Sequence, residues 1–68
     1  MKFSEVEVGL FVKVREDEWQ EWCFRHQNEY TPFKPQPITD VRDSGPYKGF
    51  VMLAYPFYWW QPEELEKM

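Results

Sequence analysis

The most reactive side chains stand close together in EWCFRHQNE, where Cys23 and His26 are followed by Glu29. The C-x-x-H spacing is that of half a zinc site, and on a helix the three residues would share one face. Zinc needs four ligands, or three and a water in a catalytic site, and this chain has a single cysteine and a single histidine. As nucleophile and base the pair fares no better, because the acidic run Glu16, Asp17, Glu18 and Glu21 just upstream disfavours a thiolate. The pair is read as a packed thiol beside a half-buried imidazole. Asp40 and Asp43 flank Arg42 and are the other candidates, for general acid and base work. At odd spacing on a strand they face opposite ways, so solubility and local ion pairing account for them better. No catalytic residue, metal or cofactor is assigned, and the chain is read as a non-enzyme.

Any such group can be held only by what 68 residues can build. That length supports a single domain, and domains this small bury only about 60% of the surface of the unfolded chain. Six Phe, four Tyr and four Trp supply large side chains of roughly 150 to 250 Å² each. That is more than a small core needs, so some rings belong at the surface as contact groups. The lone Cys23 cannot form an internal disulfide, which favours a reducing, cytoplasmic setting. The start MKFSEVEVG has no apolar leader core, and the longest apolar stretch, 50–60, is broken by Pro56 and falls short of the ~20 residues that span a bilayer. A soluble protein without membrane contact is expected. The net charge of −4 and the lack of a basic stripe make duplex nucleic acid an unlikely partner.

Along the chain, Val6, Val8, Leu10, Val12 and Val14 alternate with mostly polar neighbours, which predicts a strand over 9–15 with Gly9 at a bend. Trp19, Trp22, Cys23, His26 and Tyr30 follow helical spacing, although Trp22, Phe24 and His26 also alternate; a short helix is preferred, with Asp17 as its N-cap. Pro32, Pro35 and Pro37 in TPFKPQP predict an extended crossing loop and exclude a central strand there. ITDVRD and FVMLAY then form a hairpin over 38–55 around SGPYKG. FYWW is extended, and QPEELEKM is a last helical turn with Pro62 at its start and Leu65 returning to the core.

In an extended 57–60, Phe57 and Trp59 share one face while Tyr58 and Trp60 share the other. Both neighbouring indoles therefore cannot enter one core, and an aromatic surface patch follows.

This order of elements, ending in WWQPEELE, resembles SH3-like small β-barrels, including small phage and bacterial domains that end in Trp followed by Pro-Glu-Glu-Leu-Glu. The resemblance implies a mostly β, SH3-like single domain over 1–68, with a short helix inserted in the first long connection and a C-terminal helical turn. It also implies an aromatic groove for extended or proline-rich segments, which Tyr55, Tyr58, Trp60 and Pro62 would line, in a small phage or mobile-element accessory protein. The excursion from Glu16 to Pro37 is longer than usual in such domains and can either fill that groove or form its binding element.

The expected function is a protein or peptide interaction module centred on Tyr55, Tyr58, Trp60 and Pro62, with Arg42 as polar rim, or a homodimer that buries the surplus rings. Two alternatives stay open. One is stacking of single-stranded nucleic acid on the aromatic set, with Lys13, Arg15, Arg42 and Lys48 as the available cations. The other is an acidic inhibitor of a DNA-binding enzyme.

Overall fold

In the computed structural model, which describes residues 1–68, the alternating N-terminal run yields a short strand, β1 (Phe11–Val14), with Val12 and Val14 buried and Phe11 exposed. The alternation does not extend unbroken to Val6. Val6 and Leu10 pack on the flank of the core, whereas Val8 sits exposed in a turn. Gly9 takes φ +95° there, and its N–H donates to the Ile38 carbonyl while the Leu10 carbonyl accepts from the Ile38 N–H. The extra residue lets the chain enter the sheet at an angle, in a backbone conformation that glycine adopts without strain.

The predicted helix forms as α1 (Glu16–Arg25), burying Trp19, Trp22 and Cys23. Asp17 does not cap it. Arg15 occupies the cap position without a side-chain cap bond; its carbonyl accepts from the Trp19 N–H, and its guanidinium lies 3.0 Å from the Asp17 carboxylate. The C-terminus closes through Gln27, whose φ of 54° is left-handed. The Gln27 N–H donates to the Phe24 carbonyl and the Asn28 N–H to the Cys23 carbonyl, the paired bonds of a Schellman end.

The hairpin is present as β2 (Gln36–Val41) and β3 (Val51–Leu53), followed by β4 (Trp59–Trp60) and β5 (Leu65–Lys67). Two corrections follow. Gln36 and Pro37 belong to β2, which is the central strand of the order β4-β3-β2-β1-β5. Proline is tolerated because the β3-facing edge of Pro37 lies past the end of that strand, where its carbonyl still accepts from the Ala54 N–H at 3.2 Å. The residues after the Pro62–Glu64 turn, which is a 3-10 turn, form β5 and pair with β1, Val14 opposite Leu65.

The result is mostly β: a five-stranded antiparallel sheet with one helix against it. β4 and β5 are the two edges and do not pair with each other, so the barrel is not closed. The core joins Val12, Val14, Ile38, Val51, Leu53 and Leu65 of the sheet to the helix through indoles. Trp19 and Trp22 stack at 5.1 Å, and Trp60 lies 6.5 and 6.0 Å from them. The Nε1–H groups of Trp22 and Trp60 are buried without an acceptor. The N-terminal ammonium donates to the Pro62 and Leu65 carbonyls, and Lys67 pairs with Glu5 at 2.7 Å, fastening the first 3-10 turn (Phe3–Glu5) beside β5.

Candidate functional site

The five residues expected to form one binding surface are distributed over different places. Trp60 is 1% exposed, at the centre of the aromatic core. Tyr58 is half-buried beside it at 4.7 Å, edge-on to Trp22 and His26. Pro62 is buried where the second 3-10 turn begins. Arg42 lies over the Trp59 ring, 5.4 Å from its centroid, rather than beside Asp40 or Asp43, and the Asp40 carboxylate accepts the Val41 N–H instead. Of the five, Tyr55 alone is an exposed ring, at 61%. The alternation across the tryptophan pair holds, Tyr58 and Trp60 inward and Phe57 outward, but the member that reaches the surface is Trp59, not Trp60.

Tyr55 faces a groove of about 500 Å³ that runs between the loop after β3 and the proline-rich connector. Trp19 and Phe33 form its aromatic wall, with their rings 4.9 Å apart and nearly perpendicular. Pro32, Pro35 and Gln36 also line it, and Lys34 brings the one charge. The connector is pinned to the helix at this point: the Trp19 indole donates to the Thr31 carbonyl at 2.7 Å, and the Tyr30 hydroxyl donates to the Glu16 carboxylate. Those bonds hold an otherwise irregular segment as a fixed wall. The bond to Glu16 is also the main cause that raises the Tyr30 hydroxyl above its ordinary pKa. Sequence reasoning missed Trp19, Phe33, Pro32 and Pro35 as lining residues. Their signal was the apolar and prolyl content of TPFKPQP, whose contact with α1 is a tertiary fact.

A second, more open depression of about 530 Å³ includes Phe3, Phe50 and Pro62. Its wall also carries Lys2, Lys48 and Glu63, which favours water over an apolar ligand.

The reactive groups are engaged in packing. Cys23 is buried, and burial, with the Glu16 carboxylate adding to it, pushes its thiol above the ordinary value. His26 instead stacks on Trp22 at 4.3 Å with Nδ1 2.9 Å from the Trp22 carbonyl. No group of three or more His, Cys, Asp or Glu side chains is placed to hold a metal ion. Of the cations available for a nucleic-acid strand, Lys13 is 3.9 Å from Glu66 and Arg15 is 3.0 Å from Asp17. No helix is long and apolar enough to cross a membrane. Comparison with known proteins adds no assignment: no family model, no curated protein and no solved structure matches the chain.

Proposed function

We propose that the chain is an SH3-like, non-enzymatic interaction module that takes an extended segment of a partner protein into the groove between Tyr55 and the proline-rich connector. The observation that carries this reading is the groove itself, with rigid aromatic and prolyl walls already in place and an exposed tyrosine at its rim. Rings with few rotatable bonds lose little entropy on contact, and a pinned wall needs no reorganisation, so a short extended segment can bind with useful affinity. Lys34 favours a segment that carries a carboxylate beside its apolar residues. The SH3-like reading draws support from the meander of β2, β3 and β4 and from the last strand returning to β1 after a helical turn.

The test is a titration of the ¹⁵N-labelled protein with extended proline-containing peptides carrying acidic or basic flanks. Shifts should gather at the Trp19 indole N–H, Phe33 and Tyr55, more strongly with acidic flanks. Tyr55→Ala should weaken binding about tenfold, the ~1.4 kcal/mol expected of a rim aromatic in a contact site. Absence of shifts at these positions across the whole panel rejects the groove as a binding site.

A further inference from the structure

An antiparallel sheet with one face on the core normally turns polar residues outward on the other. This one does not. The outward residues include Phe11 on β1, Met52 on β3 and Trp59 on β4, each beside a core residue that points the other way. The pairing places them in register. Phe11 lies opposite Pro37; the Met68 N–H donates to the Phe11 carbonyl on one side, and the Ala54 N–H to the Pro37 carbonyl on the other. Met68, Phe11, Pro37 and Ala54 therefore form one cross-strand row on the outer face. Phe57, two residues before Trp59, falls on that same side by alternation. Phe57 is 84% exposed, Met68 66% and Phe11 54%.

We propose that this outer sheet face binds a second copy of the chain, giving a symmetric dimer. Charge selects that occupant. The charged side chains of the face are Lys13 and Arg42 against Glu66 and Asp40, so it is formally neutral although the chain carries −4. The acidic excess lies instead along α1 and the second 3-10 turn, at Glu16, Asp17, Glu18, Glu21, Glu63 and Glu64. Two such faces can close without like-charge repulsion, while their acidic helices stay apart in water. A strongly basic or acidic partner would find no complement here. Rotated by a two-fold axis near Pro37, the row lays its Phe57 end on the Met68 end of the other copy, and each face offers one cation and one anion at either end.

The area suits a small, weak interface. At roughly 200 Å² for a large side chain, the open parts of Phe11, Phe57 and Met68 amount to about 400 Å², half of the ~800 Å² that each partner contributes to a standard interface. The smaller open parts of Met52, Trp59, Pro37 and Ala54 and the aliphatic stem of Arg42 extend it, still short of a standard face.

Sedimentation equilibrium between about 10 µM and about 1 mM tests this, since a modest interface associates in that range. The expected result is a concentration-dependent rise from monomer to dimer mass. Phe11→Lys and Phe57→Lys should each raise the dissociation constant at least tenfold. Phe24→Lys, 85% exposed on α1 in the other layer, should leave it unchanged. Circular dichroism of each variant verifies the fold, and if Phe11→Lys does not fold, Phe57→Lys in its open loop decides. A monomer throughout the range overturns the proposal, as does a dimer that Phe57→Lys leaves intact.

Discussion

Trp59 and Trp60 are the same residue at adjacent positions of one two-residue strand, so replacing each in turn measures what facing the helix is worth. Trp60 is 1% exposed among Trp19, Trp22 and Tyr58. Its replacement by alanine removes the link between sheet and helix and should cost about 3–5 kcal/mol. A domain of 68 residues has about 3–10 kcal/mol in all, at 0.05–0.15 kcal/mol per residue. Trp60→Ala should therefore lose about a third or more of the stability of the domain. Trp59→Ala loses the stacking of Arg42, about 0.5–1 kcal/mol, and a cross-strand contact with Met52 of about 0.2–1 kcal/mol. It should remain folded. Urea titration followed by far-UV circular dichroism reads the difference: with a slope of ~1 kcal/mol per molar for so small a domain, Trp59→Ala moves the midpoint by about 1–2 M. Trp60→Phe supplies the intermediate point. It keeps a ring against Tyr58 and Trp22 and removes a buried donor that has no acceptor, so its cost should fall well below that of alanine. Equal midpoint shifts for the two alanine variants would refute the assignment of the faces.

Two further predictions concern the ends of elements. Gln27→Gly relieves a left-handed residue at the end of α1 and should stabilise by about 0.5–1 kcal/mol, raising the thermal midpoint by about 2–8 °C in calorimetry; no gain would mean that the Gln27 side chain contributes something glycine lacks. Glu5 accepts the Lys2 backbone N–H and pairs with Lys67, which lowers its pKa from 4.5 to about 2. A depressed carboxylate contributes stability that is fully present above its unfolded value and is lost as pH falls from about 4.5 towards 2. Glu64 acts in the opposite sense, since burial first and the Glu18 carboxylate next raise its pKa, so its protonation favours the folded chain. Comparing wild type with Glu5→Gln cancels the Glu64 contribution: the stability gap between them should close on acidification through that window, and a gap independent of pH would refute the pairing.

The elements that sequence reasoning recovers are those whose signal is local. Trp19, Trp22 and Cys23 recur at helical spacing, and the 38–55 hairpin is bounded by its own turn residues. β5 was missed because Leu65, Glu66 and Lys67 are too few, and too polar, to register as a strand; their extended form is imposed by pairing with Lys13 and Val14. The cap position likewise depends on a neighbour. β1 ends at Val14, leaving Arg15 as the one linking residue before α1, so the helix has begun before Asp17 can cap it.

For the site, alternation gives the relative orientation of the two indoles but not its absolute sense, which depends on the layer that α1 covers. That layer faces Trp60, so the binding role expected for Trp60 passes to other rings. The loop after β3, a run of bends and not a strand, interrupts the alternation and so serves two surfaces. Tyr55 opens on the groove, Pro56 is buried, and Phe57 projects at 84% exposure. Peptide binding and self-association thus draw on side chains two residues apart yet on separate surfaces. Tyr55→Ala should weaken peptide binding without changing the sedimentation of the protein, and Phe57→Lys should do the reverse. If either substitution impaired both properties, the two surfaces would be one, and the division of this small domain into a groove and an outer face would have to be given up.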